Sequence, residues 1–180
     1  MEIYKERVKS NFDGTVIDIE TIGDFKNSYC DSRRYKEIVP VIFGFIDKNG
    51  LKIYCAKTKD SIKKLRDEVI SLLPKLKKPF YAFNSDFERG SLFHYLGFPV
   101  EFHNELNKEK FESKKSAVSK LKISNYDDPF NDDGLLCKVA WLNGEIDKSI
   151  AHNRSCLLKE RDILKLRGHR VPDKLELINT

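Results

Sequence analysis

The chain has 180 residues, of which 33 are lysine or arginine and 28 are aspartate or glutamate, giving a formal net charge of +5. This length suits one domain with a substantial core, and we expect residues 1–180 to form one. The mild positive charge is compatible with a polyanionic partner but does not indicate nucleic-acid binding by itself. No apolar run reaches the ~18 residues of a membrane span, so we expect a soluble, cytoplasmic protein that does not bind membranes.

The four cysteines form no CxxC pair, which excludes a zinc ribbon or a redox motif built from local spacing. We expect all of them to be free thiols. They are Cys30, Cys55, Cys137 and Cys156.

The first half of the chain begins with predicted strands. An Asp13-Gly14 turn precedes a strand at 15–20, and a second strand covers 39–47. Asn49-Gly50 is a hairpin turn that leads into a third strand at 51–57. Helical periodicity then begins at Asp60.

Helices and strands alternate in the rest of the chain. The lysine-rich segment 104–133 is the least regular; it is either a solvated surface, which is the commoner role of such a run, or an arm that follows a phosphate backbone. The order predicts an α/β fold of three layers, with a mixed β-sheet between flanking helices. The predicted elements are a helix at 60–76, a strand at 80–83, a helix at 87–96 closed by Gly97, and a last helix from Asp147, as N-cap, to Arg167, with Gly168 after it.

Two carboxylates mark the end of the first strand. Residues two apart in a strand point to the same face, so Asp18 and Glu20 present their oxygens side by side. Like charges this close are hard to bury unless a cation lies between them, and a divalent ion with oxygen ligands is the usual solution. The pair indicates metal-dependent chemistry, unless it is simply a solvated strand end.

Three segments of the chain together resemble a known superfamily. They are Asp18-Ile19-Glu20-Thr21-Ile22-Gly23, Asn84-Ser85-Asp86-Phe87-Glu88 and Ile150-Ala151-His152-Asn153. Their order resembles the ribonuclease H-like DEDD 3'-to-5' exonucleases, in particular the YprB-like branch, over residues 15–166. The resemblance implies a ribonuclease H-like fold, a nucleic-acid substrate and two bound Mg²⁺ or Mn²⁺ ions.

The resemblance also implies which acids bind the metal. In that superfamily the first strand supplies two acids, the second segment a third and the last helix a fourth. The third acid is then Glu88, where the family commonly has aspartate. Asp86, two residues earlier, is the competing candidate and has helix capping as its alternative role.

The fourth acid is predicted from the helical wheel of the last helix. Glu160 falls on the apolar stripe, whereas Asp162 falls on the opposite, lysine-bearing side. A carboxylate on an apolar face is costly unless it is paired or bound to metal, so Glu160 is either a metal ligand or the partner of a basic residue. The family register would instead put the fourth acid at Cys156, one turn before Glu160.

His152 is a candidate general base, the role of a histidine in one DEDD subclass. The spacing fits poorly, because that subclass places the histidine five residues before the fourth acid, and the residue five before Glu160 is Ser155. A structural role is the alternative for His152. The other histidines show no ligand spacing and are expected to be structural. They are His94, His103 and His169.

The sequence therefore predicts a metal-dependent nuclease that hydrolyses DNA or RNA by a two-metal mechanism, either removing nucleotides from a 3' end or cutting RNA internally. Its predicted metal ligands are Asp18, Glu20, Glu88 and Glu160. The alternative is a nucleic-acid-binding protein that keeps the fold and has lost efficient chemistry, for which Glu88 and Cys156 are the support. A weaker alternative is a hydrolase of small phosphorylated substrates, although no phosphate loop is present.

Single-stranded substrates are favoured if aromatic side chains near the motifs offer stacking surfaces. Each of these side chains has the protein core as its alternative location. They are Phe83, Phe87 and Tyr95.

Overall fold

A computed structural model, which describes residues 1–179, shows a six-stranded mixed β-sheet with helices on both faces. The strands are β1 (Glu2–Glu6), β2 (Thr15–Ile22), β3 (Val39–Asp47), β4 (Gly50–Cys55), β5 (Phe80–Ala82) and β6 (Asn104–Glu105). The helices are α1 (Ile62–Leu72), α2 (Ser85–Leu96), α3 (Lys114–Lys120), α4 (Gly134–Leu142) and α5 (Ile146–Arg167).

The sheet has the order β1-β4-β3-β2-β5-β6. The hairpin β3–β4 is antiparallel, as are the pairs β1–β4 and β2–β3. On its other side β2 pairs with β5 in parallel, and β5 with β6. β2 is therefore a central strand, and its residues 15–20 are buried, including the two carboxylates Asp18 and Glu20.

Alternation along β2 separates the two layers of the core. Ile17 and Ile19 pack on the side of α1 and α2. Val16 packs on the opposite side with residues of α4 and α5, among them Trp141 and Leu157. This arrangement confirms the predicted α/β class with flanking helices on a mixed sheet.

The predicted element boundaries hold within a few residues. α1 is shorter than predicted because its ends are single 3₁₀ turns at 59–61 and 73–75. α2 begins two residues before the predicted start, with Asn84 as N-cap, and Gly97 ends it at a φ of 88°. α5 starts at Ile146 instead of after Asp147 and ends before Gly168 as predicted.

Four elements were not predicted. β1 is a polar edge strand paired with β4, and β6 is only two residues long. The helices α3 and α4 lie within or directly after the segment predicted to be irregular. Both start at a side-chain cap: Ser113 accepts from the amide of Ser116, and Asp133 accepts from the amides that follow it.

Among residues 1–179, no helix combines the length and the apolar character needed to cross a membrane.

Candidate active site

Asp18 and Glu20 lie on the face of β2 that is covered by α5. Asn153 of α5 donates a hydrogen bond to Asp18 Oδ2 over 2.7 Å and approaches Glu20 Oε1 at 3.4 Å. The register of β2 on β3 places Gly44 opposite Asp18. A Cβ at Gly44 would lie 2.0 Å from Asn153 Oδ1, so only glycine leaves room for the amide that orients both carboxylates.

Glu88 comes from the first turn of α2 and faces the same place. It is 4% exposed and lines a cavity of about 160 Å³ together with Asp18 and Glu20. Asp86 instead pairs with Arg89 and lines a neighbouring cavity. Since Asn84 is the N-cap, Asp86 does not cap the helix either. The placement agrees with the register that selects Glu88.

Glu160 of α5 completes the group of acids and is fully buried. Its Oε1 lies 2.6 Å from Lys114 Nζ, which also donates to Asp18 Oδ1 over 2.9 Å. Asp162 points elsewhere, because it accepts hydrogen bonds from the hydroxyl of Tyr126 and from Arg161. The helical wheel therefore placed both acids of α5 correctly.

We call this cavity of about 160 Å³ the acidic cavity. Asp18, Glu20 and Glu88 line it, Glu160 lies beside Asp18, and its main cation is Lys114. The lysine run was expected to be a solvated surface, and for Lys114 this was wrong: the first residue of α3 has a side chain only 17% exposed. No local signal distinguishes Lys114 from its neighbours, because its carboxylate partners are distant in sequence.

Burial dominates the electrostatics of the acidic cavity. Desolvation, with the charge of Asp18 nearby, raises the pKa of Glu88 and of Glu160 well above the ordinary value. Desolvation also raises the pKa of Glu20 to about 7. Within residues 1–179, Glu88 Oε2 and Glu160 Oε2 have no hydrogen-bond partner.

His152 lies beside Glu20, with its Nε2 3.8 Å from Glu20 Oε1. Its Nδ1 donates to Asp128 Oδ1 over 2.7 Å. Burial alone would lower the pKa of His152, but Glu20 and Asp128 on its two sides contribute to raising it to about 12. Asp128 therefore orients the imidazole with its Nε2 beside Glu20, and the role of general base stays a prediction for His152.

Cys156, at the position where the family register expects the fourth acid, also lines the acidic cavity. Its Sγ lies 3.7 Å from His152 Nε2. Burial raises the pKa of the Cys156 thiol to about 11. All four cysteines are free, and Cys30 alone of them is exposed.

The aromatic side chains near the motifs divide between core and cavity. Phe83 is buried in the core, and Tyr95 donates to the carbonyl of Ile62 between α1 and α2. Phe87 is only half-buried and contacts Phe25 and Tyr35. These three rings line a cavity of about 410 Å³ that shares Asn84 and Phe87 with the acidic cavity.

The other three histidines make structural contacts, as expected. His94 bonds to the carbonyl of Ser32, His103 accepts from the amide of Phe80, and the ring of His169 packs on Tyr81.

Comparison of the chain with protein-family models, with curated proteins and with solved structures found no match.

Proposed function

We propose that this protein is a divalent-metal-dependent nuclease of the ribonuclease H-like type, acting on single-stranded nucleic acid from a 3' end. The observation that carries the proposal is the acidic cavity itself. Four buried carboxyl groups from β2, α2 and α5 meet at one place, and two of them have an unpartnered oxygen. A buried excess of acid is costly unless cations compensate it.

The donor set of the acidic cavity fits Mg²⁺ or Mn²⁺, which prefer carboxylate oxygens. Asp18, Glu20, Glu88 and Glu160 are the residues that would hold these ions. When bound, such ions activate water and stabilise the leaving oxygen of a phosphodiester. Asp18 lies close enough for its charge to act on each of the other three acids, and Asn153 of α5 and Lys114 of α3 donate to its two oxygens.

The residues of the chain prepare this site in two ways. Asn153 fixes the orientation of the Asp18 carboxylate, so that little reorganisation is needed when a cation arrives. The ammonium of Lys114 contacts Asp18 and Glu160 in the place of a cation. An ion held by these two oxygens would take the position of this ammonium, and Lys114 would then be available to a substrate phosphate.

The neighbouring cavities suit a nucleic-acid strand. The 410 Å³ cavity combines the rings of Phe25, Tyr35 and Phe87 with Arg34, whose guanidinium lies 5.4 Å from the Phe25 ring centre. Stacking rings beside cations are typical of single-strand binding. A further cavity of about 880 Å³ shares Phe111 with it. Its lining includes four cationic side chains, Lys108, Lys120, Arg167 and Arg170.

The proposal is tested with end-labelled single-stranded DNA and RNA at pH 8 in the presence of Mn²⁺. We expect stepwise shortening from the 3' end, loss of the reaction in EDTA, and a rate lowered by orders of magnitude in Asp18→Asn. Asp60→Asn is the matched control, because Asp60 is exposed and does not line the acidic cavity. Raising salt from about 50 to 200 mM is expected to slow the reaction at subsaturating substrate, because phosphate contacts are screened.

A second function, a nucleic-acid-binding protein without chemistry, is favoured by one observation. Lys114 already compensates Asp18 and Glu160, so the fold does not need a metal ion at these two oxygens. The same assay separates the two functions. If both substrates bind tightly and stay intact with Mg²⁺ and with Mn²⁺, the nuclease proposal is wrong and the binding function replaces it.

A further inference from the structure

A cluster of softer donors lies directly beside the acidic cavity. The ligand atoms of Glu20, Cys137 and His152 all lie within 4.8 Å of one another, and all three residues are buried. They come from three different elements, β2, α4 and α5. Nothing in the proposed nuclease chemistry uses Cys137, whose thiol donates to the carbonyl of Ser149 over 3.9 Å.

Two distances at His152 are close to those between the ligand atoms of a tetrahedral ion. Zinc bonds of about 2.0 Å to nitrogen and 2.3 Å to sulfur put neighbouring ligand atoms roughly 3.5 Å apart. Here Glu20 Oε1 is 3.8 Å and Cys156 Sγ 3.7 Å from His152 Nε2. His152 and Cys156 are four residues apart on α5, so both side chains lie on one face of the helix.

The imidazole of His152 is also oriented as in a metal ligand. Its Nδ1 donates to Asp128 Oδ1, and Asp128 is anchored in turn by Lys159, whose Nζ lies 2.7 Å from Asp128 Oδ2. A carboxylate that accepts from one ring nitrogen fixes the tautomer and aims the other nitrogen at the metal. Nε2 accordingly points to Glu20 and Cys156.

We infer that Glu20, Cys137 and His152 form a second metal site, for a borderline-soft divalent ion of the Zn²⁺ class, with Cys156 as its fourth donor. Cys137 and Cys156 do not belong to one group of ligand atoms within 4.8 Å, so binding of the ion draws the two thiols together. Two thiolates, one imidazole and one carboxylate are a donor set that selects zinc or cobalt over Mg²⁺ and Mn²⁺. On binding, the ion replaces the Nε2 proton of His152 and the two thiol protons, which leave to solvent. The inference does not rest on the nuclease proposal, because these donors are in place whether or not the protein cuts nucleic acid.

The test is a titration of the intact, reduced protein with Co²⁺, followed by absorption spectroscopy. We expect thiolate-to-cobalt charge-transfer absorption that saturates at one equivalent, disappears when Zn²⁺ is added, and resists excess Mg²⁺. Cys137→Ser and Cys156→Ser should each reduce the absorption and weaken Co²⁺ binding at least about tenfold. Cys30→Ser is the matched control and should leave both unchanged.

The result on the intact protein decides the inference without depending on how the variants fold. Absence of charge-transfer absorption in the intact protein, or its full persistence in both Cys137→Ser and Cys156→Ser, overturns the site. Glu88→Gln separates this inference from the nuclease proposal, because it removes a ligand of the acidic cavity and none of the thiol site. That variant should lose Mn²⁺-dependent cleavage and keep the cobalt absorption.

Discussion

Two buried polar clusters share helix α5, and they differ in how well their charges are satisfied. One is the acidic cavity, and the other is the Asp128 cluster, made of Asn125, Asp128, Asp132, His152 and Lys159. In the Asp128 cluster Lys159 Nζ donates to Asp128, Asp132 and Asn125 over 2.7, 2.8 and 3.1 Å. Asp128 also accepts from His152 and from two backbone amides.

The carboxyl groups of the two clusters have pKa shifts in opposite directions. Burial alone would raise the pKa of Asp128, but hydrogen bonds from His152 and Lys159 hold it below its ordinary value. Glu88 and Glu160 receive too few compensating contacts, and desolvation raises their pKa values. A satisfied buried network stabilises the fold, whereas unsatisfied acids in a cavity are typical of a site that binds something.

The largest expected effect lies in the satisfied cluster. Lys159→Met removes a fully buried cation and leaves Asp128 and Asp132 without their main partner. We expect the free energy of unfolding to fall by about 3–5 kcal/mol, the usual cost of breaking a buried ion pair. Urea denaturation measures it, with the exposed Lys165→Met on the same helix as control. If Lys159→Met lowered the free energy of unfolding no more than Lys165→Met does, Lys159 would not stabilise the Asp128 cluster as we expect.

The second prediction concerns the acids of α5. Glu160→Gln should weaken Mn²⁺ binding at least about tenfold, or about 1.4 kcal/mol, because a ligand carboxylate is lost. Asp162→Asn should leave Mn²⁺ affinity unchanged, since Asp162 contacts Tyr126 and Arg161 instead of the cavity. Calorimetric titration compares the two variants. The reverse order of affinities would show that the cation is held on the other face of α5.

The third prediction is a pH dependence of stability without divalent ions, in EDTA. The pKa of Glu20 is about 7 in the fold against an ordinary 4.5, so between these values the folded state holds a proton that the unfolded state releases. This contribution to stability therefore falls as pH rises from about 4.5 to about 7. Relative to the wild type, Glu20→Gln should gain stability across that window, by at most about 1.4 kcal/mol per pH unit.

Urea denaturation at several pH values gives this difference directly. A difference between Glu20→Gln and wild type that stays constant from about pH 5 to pH 8 would mean that Glu20 is not held protonated by burial.

The positions of Asp18, Glu20 and Glu160 could be predicted from the periodicity of single elements. The two-residue repeat of β2 placed Asp18 and Glu20 on one face, and the 100° step of α5 separated Glu160 from Asp162. Both periods depend only on local geometry, so the sequence contains them. The three-layer α/β class was predictable for the same reason.

The positions of Lys114 and Cys137 depend on contacts between distant segments of the chain. Lys114 reaches Asp18 across 96 positions of sequence, and nothing in its own neighbourhood marks it. Cys137 joins His152 only because α4 packs on α5, although the His152–Cys156 spacing was visible. α4 itself was missed because it is apolar on its exposed side too, with Leu135 65% exposed, and so lacks helical alternation of polar residues.

The smallest expected effect tests which acid of α2 belongs to the acidic cavity. Asp86 pairs with Arg89, and both side chains are largely buried outside the acidic cavity. Asp86→Asn keeps a polar side chain beside Arg89, so we expect the free energy of unfolding to fall by about 1 kcal/mol and the Mn²⁺ affinity to stay unchanged. Glu88→Gln is the matched variant on the same helix turn. It should weaken Mn²⁺ binding while leaving the fold as stable as before or more so, because it removes a carboxylate whose ionised form burial opposes. If Asp86→Asn weakened Mn²⁺ binding and Glu88→Gln did not, the third ligand would be Asp86. The buried Glu88 would then have a structural role only.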